Sequence, residues 1–240
     1  MKYLARRGSA ANPATVDDGY RDEAFRILRS NLEISIAGLQ RPSIMVTSAN
    51  PGDGKTLTAA NLAATISAAG QRVVLVDLDL RHPDVHNYLG AHNEFGVTDV
   101  LLGRRPLAEC LQFVETSTSL RRAARGFYVL AVGPPVENPA ELLSTVRTAR
   151  LVDALTAEAD IVVIDAPPVL PVADTLSLGR VAGGVVVVAA AHQTTYPEIA
   201  RAVELLTRNQ ARLLGLVLNK TRVNGRQSFR YGYPYGSDGD

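Results

Sequence analysis

Six short runs of almost unbroken apolar residues punctuate this chain: 43–47, Val73 to Val76, Tyr128 to Val132, Ile161 to Ile164, Val185 to Ala189 and Leu213 to Leu218. Runs this short, with no polar alternate, read as strands covered on both faces. The segments between them carry apolar residues at helical spacing. Repeated strand–helix units predict an α/β fold, a doubly wound and mostly parallel sheet flanked by helices, with ligands outside the carboxyl ends of its strands. Ahead of the first run, Phe25, Leu28, Leu32 and Ile36 form the stripe of a helix from about Tyr20 to Ala37, with Asp17 or Asp18 as its cap. Residues 1–19 read as a flexible leader, 20–223 as the folded domain, and 224–240 as a flexible tail rich in Gly, Tyr and Asp.

The first run feeds the most informative segment of the chain, Ala49-Asn50-Pro51-Gly52-Asp53-Gly54-Lys55-Thr56, and an alanine-rich helix follows it to Gly70. Strand, glycine-rich loop and helix in that order form a phosphate-binding loop. Gly52 and Gly54 leave backbone N–H groups free to wrap phosphate oxygens, and the helix amino terminus adds its positive dipole end. Lys55 supplies a mobile charge and the Thr56 hydroxyl can reach Mg²⁺. The nucleotide contacts are therefore expected over Asn50, Pro51, Gly52, Asp53, Gly54, Lys55, Thr56 and Leu57. Ala49 stands where the general pattern has its first glycine, which is tolerable while that residue keeps a negative φ.

Two other runs end in aspartates. Val76 leads to Asp77-Leu78-Asp79-Leu80-Arg81, and Ile164 leads to Asp165-Ala166-Pro167-Pro168. Carboxylates at the carboxyl ends of neighbouring strands face the crevice where the loop holds phosphates. Asp165 sits where P-loop NTPases keep the carboxylate that positions Mg²⁺. Asp77 and Asp79, two residues apart, project to one side if the chain stays extended. His82-Pro83-Asp84-Val85-His86 reads as a connection beside the nucleotide in preference to a metal site. Thr194, Thr195, Asn219 and Lys220, at later strand ends, are candidates for lining the same crevice.

Composition narrows the functional classes. Formal net charge is +1, from 25 basic and 24 acidic residues, which gives no support for a nucleic-acid partner. Cys110 is the single cysteine, so intramolecular disulfides and cysteine-ligated clusters are excluded, in keeping with a reducing cytosol. No stretch approaches the ~20 apolar residues of a membrane span, and the basic start lacks the apolar core of a secretory signal.

Taken together, Asn50 to Thr56, Asp77 to Arg81 and Ile164-Asp165-Ala166-Pro167-Pro168-Val169-Leu170-Pro171 closely resemble the bacterial tyrosine kinases of capsule and exopolysaccharide synthesis. Glu23-Ala24-Phe25-Arg26-Ile27-Leu28-Arg29 looks like that family's Glu-x-x-Arg-x-x-Arg helix. Asn138-Pro139-Ala140-Glu141-Leu142-Leu143 and Gly215 to Lys220 fit as well, so the resemblance covers roughly 20–223. The rival is the MinD/ParA group of partitioning ATPases, which shares the fold but carries a lysine where this chain has Asn50.

The resemblance implies ATP and Mg²⁺ as cofactors, Asp77 as proton acceptor from a tyrosine hydroxyl, Asp79 and Asp165 with Thr56 at the metal, and Asn219 near the nucleotide. It implies that Tyr231, Tyr233 and Tyr235 accept phosphate from a neighbouring subunit. The face bearing Glu23, Arg26 and Arg29 would build a homo-oligomeric ring; read from spacing alone, it is a solvated, salt-bridged helix face. A transmembrane activator of the polysaccharide co-polymerase type, tyrosine-bearing protein substrates, and a cytoplasmic, peripherally membrane-associated location complete the expectation.

Overall fold

The computed structural model describes residues 17–39, 42–116, 125–143 and 145–221; most of the expected leader and all of the expected tail, 224–240, lie outside them. In chain order the elements are α1 (Asp17–Ile36), β1 (Ser43–Ser48), α2 (Lys55–Ala68), β2 (Val73–Asp77), α3 (Val85–Leu89), α4 (Val97–Leu101), α5 (Leu107–Cys110), β3 (Gln112–Thr116) and β4 (Arg125–Leu130). They continue through α6 (Pro139–Leu142), α7 (Thr145–Glu158), β5 (Ile161–Asp165), α8 (Asp174–Val181), β6 (Gly184–Ala190), α9 (Tyr196–Arg208) and β7 (Leu213–Asn219).

The seven strands lie in the order β3-β4-β2-β5-β1-β6-β7. All neighbours are parallel except β3, which runs antiparallel along β4 at one edge. Period-two alternation sorts each central strand between two cores. Ile44, Val46, Val73, Leu75, Ile161, Val163, Val186 and Val188 face α1, α2 and α3. Met45, Val74, Val76, Val162, Ile164, Val185 and Val187 face α7, α8 and α9. A strand with apolar residues in both registers is stable only between two helical layers, which is why the runs read without a polar alternate.

Helix α2 can lie close on the sheet because Ala59, Ala60 and Ala63 make up its buried face with Leu62 and Ile66. In α1, Leu32 and Ile36 are buried, while Phe25 and Leu28 are partly so. That helix begins at Asp17, so the two aspartates expected as caps fall within its first turn, and their side chains lie outside the described residues.

One strand was not legible in the sequence. In β3, Gln112-Phe113-Val114-Glu115-Thr116 mixes polar and apolar residues because an edge strand is not covered all round. Phe113 packs edge-on to its register partner Tyr128 with ring centroids 5.4 Å apart. Strand β4 begins three residues earlier than the apolar run suggests, at Arg125. Among the described residues no helix is long and apolar enough to cross a membrane.

The double cover predicts a steep difference between positions. Leu75→Ala, at a fully buried site in β2, is expected to cost about 2–5 kcal/mol in urea denaturation. Leu216→Ser, on the half-open edge strand β7 where Leu216 is 55% exposed, should change stability by no more than about 0.5 kcal/mol.

Candidate functional site

The site grows from the carboxyl ends of β1, β2 and β5. Strand β5 lies between the other two, so Asp77 and Asp165 are direct register partners, and Asp165 also pairs with Val46 of β1. Beyond Asp165 the chain is strapped along the β1 exit. The N–H groups of Ala166, Val169 and Leu170 donate to the carbonyls of Val46, Ser48 and Ala49 at 3.0, 2.8 and 3.2 Å. Pro167 has no N–H to give; its carbonyl accepts from the Thr47 and Thr175 hydroxyls at 2.6 and 3.0 Å. This strap fixes Asp165 against the start of α2.

There the Thr56 hydroxyl donates to Asp165 Oδ2 at 2.7 Å. Lys55 Nζ lies 2.9 Å from Asp79 Oδ2 and 3.9 Å from Asp165 Oδ1. Asp165 Oδ1 is buried without a hydrogen-bond partner. Burial pushes the Asp165 carboxyl up to about 6, although the Lys55 charge and the Thr56 hydrogen bond pull the other way. For Lys55, burial favours the neutral amine, but the charges of Asp165, Asp79 and Asp77 outweigh it and the pKa rises.

Asp77 and Asp79 do not share a direction, because the chain turns directly after β2. Asp77 is fully buried and its carboxylate accepts from the backbone N–H groups of Asp79, Asp84 and Val85 at 3.0, 3.2 and 3.2 Å. It therefore knits the 77–85 loop together. Burial and the nearby Asp165 charge hold its pKa well above the carboxylate range despite those donors. Asp79 turns the other way, onto Lys55, with its second oxygen accepting from the His82 N–H at 3.0 Å. Arg81 reaches across to Asp174 at the start of α8, at 2.8 Å, tying the β2 and β5 exits. No group of three His, Cys, Asp or Glu side chains with metal-site geometry occurs among the described residues, and the His82–His86 segment forms a connection into α3.

The loop itself needs its glycines. Gly52 and Gly54 have φ of +82° and +97°, a region that L side chains rarely adopt. A side chain on Gly54 would also collide with the Asn219 amide. Ala49 is buried and is not among the residues with positive φ, which is why alanine serves there. Pro51 and Gly52 form the exposed tip, and Leu57 is half-buried.

What holds the loop from the outside was only partly visible in the sequence. The buried Asp53 carboxylate accepts from the Asn50 N–H at 3.0 Å and from the Thr194 hydroxyl at 2.7 Å. The Asn219 amide donates to the Asp53 carbonyl at 3.0 Å. Asn50 Nδ2 donates to Glu198 Oε1 at 2.9 Å. Glu198 is the missed residue: its other oxygen accepts from the N–H and hydroxyl of Thr195, both at 2.7 Å, closing a capping box at the start of α9. The Thr195-x-x-Glu198 spacing was the available signal. Lys220, with φ +56°, turns to Gln193 instead of the loop.

The Glu23, Arg26 and Arg29 face lies elsewhere. Arg26 pairs with Glu23 at 2.9 Å and Arg29 with Glu33 at 3.1 Å. Arg29 lines a cavity of about 530 Å³ beside Pro42, Gln71, Asp160 and Ile161, at the amino-terminal ends of the strands. Asn138 precedes the short helix α6, and Tyr231, Tyr233 and Tyr235 lie outside the described residues.

The Asp165 environment makes a signed prediction. A carboxyl raised in the folded state favours folding fully below its unfolded value of 3.8, and that contribution is lost as pH rises to about 6. Nucleotide-free Asp165→Asn is therefore expected to be more stable than wild type at pH 7, by on the order of 1–3 kcal/mol. The gap should close as urea titrations move from pH 6 to pH 4.

Known proteins resemble this chain in sequence and in fold. The profile of the ParA family, described as NUBPL iron-transfer P-loop NTPase, matches residues 40–239. Tyrosine-protein kinase YwqD of Bacillus subtilis is 38% identical over 209 residues, covering 87% of this chain and 85% of that protein. CapB of Staphylococcus aureus is 30% identical, covering 98% of this chain and all of its own length. Other relatives are longer; the chain spans 29% of tyrosine-protein kinase wzc of Salmonella typhimurium. Among solved structures, the kinase domain of Escherichia coli tyrosine kinase ETK superposes with a TM-score of 0.80 at 29% identity, covering 97% of this chain and 89% of that one. A cell-division ATPase MinD of Pyrococcus furiosus, at 22% identity and TM-score 0.62, shares the fold. Matches to tyrosine-protein kinases along nearly the whole chain, over one shared fold, place this protein in the bacterial tyrosine-kinase family: it is a protein-tyrosine kinase on a ParA-type P-loop framework.

Proposed function

We propose that this kinase transfers the γ-phosphoryl group of ATP to protein tyrosines, its own Tyr231, Tyr233 and Tyr235 among them, in service of capsule or exopolysaccharide synthesis. The observation that carries the reading is the meeting of Lys55, Thr56, Asp79 and Asp165 beneath the glycine loop. Loop N–H groups and Lys55 neutralise charge on the transferred phosphoryl. The unpaired Asp165 Oδ1, with Thr56 and Asp79 beside it, is an oxygen set suited to a hard divalent cation. Those three residues would hold Mg²⁺, which when bound with ATP screens the phosphate charge.

A tyrosine hydroxyl has a pKa of about 10, so transfer at neutral pH requires a carboxylate to take its proton. Asp77 is proposed for that role, supported by its place at the end of β2 beside Asp165. Acceptor tyrosines come from a neighbouring subunit, in a ring built through the Glu23, Arg26 and Arg29 face. Arg29 of that face lines a cavity at the amino-terminal ends of the strands, away from the phosphate loop. Each phosphotyrosine adds about −1.5 to −2 charges, so several per tail oppose assembly. A transmembrane activator of the co-polymerase type, and through it a cytoplasmic position at the membrane, complete the proposal; chromosome or septum positioning is the alternative that the relatives disfavour.

Incubation with Mg-ATP and anti-phosphotyrosine detection tests it. Lys55→Met and Asp77→Asn are expected to lower the signal by at least about 100-fold with the fold intact by circular dichroism. Removal of 228–240 should remove most of it. Undiminished phosphotyrosine in Asp77→Asn would reassign the proton acceptor.

A further inference from the structure

We infer that Tyr196 is a second phosphoacceptor of this kinase, and that its modification loosens the phosphate loop through Glu198. The inference rests on the tyrosine-kinase assignment and on ATP as donor. A transfer site must take in the acceptor's hydroxyl and much of its ring, so an acceptor has to be free on all sides. Three tyrosines have described side chains, and they differ sharply in this respect. Tyr88 is 45% exposed, and its hydroxyl accepts from Asn61 at 3.1 Å. Tyr128 is 48% exposed but sits inside a paired strand with its ring against Phe113. Tyr196 is 83% exposed, the most open large hydrophobic side chain among the described residues, and makes no ring contact or side-chain hydrogen bond among them.

Its place in the chain gives modification a consequence. Tyr196 opens α9, directly after the extended cap residue Thr195 (φ −83°, ψ 155°) and directly before Pro197. Two residues on stands Glu198, both of whose oxygens are in use, one on Thr195 and one on Asn50 of the phosphate loop. Two residues back stands Thr194, which holds Asp53. The residues that flank Tyr196 are thus the outer supports of the loop.

In the transfer, Tyr196 Oη bonds to the γ-phosphorus as the bond to the β,γ-bridging oxygen breaks. ADP leaves, and the phenolic proton passes to an active-site carboxylate and then to solvent. The product carries about −1.5 to −2 charges at the first position of α9, where its oxygens are drawn to the N–H groups of the helix amino terminus and compete with Glu198 for the Thr195 donors. Competition of this kind displaces Glu198, and its contact with Asn50 is lost with it. The modified enzyme then binds nucleotide less tightly, so the reaction limits itself.

The test uses the full chain and a variant with Tyr231, Tyr233 and Tyr235 all changed to Phe, each incubated with Mg-ATP and mapped by peptide mass spectrometry. Phosphate on Tyr196 is expected in both and absent from Lys55→Met. In parallel, affinity for a fluorescent ADP analogue should fall roughly 5- to 30-fold in Tyr196→Glu and stay within about twofold in Tyr196→Phe. Tyr196→Glu should add little in a Glu198→Ala background, where the support is already gone. Phosphotyrosine elsewhere with Tyr196 unmodified overturns the inference while leaving the kinase reading standing, and no phosphotyrosine on any residue overturns both. An equal loss of affinity in Tyr196→Phe would make Tyr196 a nucleotide contact and reject the regulatory role.

Discussion

Three buried carboxylates gathered around one ammonium group are the constraint on which the rest of this structure depends. Asp77, Asp79 and Asp165 are at most 2% exposed, and Lys55 is the cation among them. Charges removed from water repel strongly at short range, so such a cluster persists only where neighbours compensate it. Here the compensation is uneven. Asp77 is met by three backbone N–H groups, Asp79 by Lys55 and one N–H, and Asp165 by a hydroxyl and a more distant Lys55. The oxygen left without a hydrogen bond belongs to Asp165 and lies 3.9 Å from Lys55 Nζ.

The fold delivers these groups through strand order. Placing β5 between β1 and β2 puts Asp165 beside both the phosphate loop and Asp77, and the prolines after it exchange backbone N–H groups for a fixed direction. On the far side of β1, the exits of β6 and β7 brace the loop from outside through Thr194 and Asn219. Helix α9 adds Glu198, a single carboxylate that caps its own helix and restrains Asn50. Asn50 is thereby engaged within its own subunit.

Much of this was legible because the chemistry is local. Gly52, Gly54, Lys55 and Thr56 fall within five residues, and Gly54 has a φ that L side chains rarely adopt. Asp77 and Asp165 were legible because strand ends mark one edge of a parallel sheet. Asp79 was placed at the metal, and its grip on Lys55 is compatible with that, but its divergence from Asp77 was not foreseen. An i, i+2 relation holds only while the chain stays extended, and here it turns at Leu78, whose N–H is taken by the Asp165 carbonyl. Strand β3 escaped because an edge position relaxes the demand for apolar residues on both faces. The short helices α3 to α6 escaped because four or five residues carry too little periodicity.

By itself, then, the sequence determined the layered α/β class, the phosphate loop and the identity of the carboxylates that could serve it, since each follows from spacing within a short segment. Tertiary structure alone decided which carboxylate meets Lys55, which is consumed by the 77–85 loop, and which keeps an unpaired oxygen. It also decided that Glu198, 148 residues from Asn50, would hold the phosphate loop in shape. Contacts across such separations depend on strand order and on the direction in which each strand is left, and neither is written in any local stretch of residues.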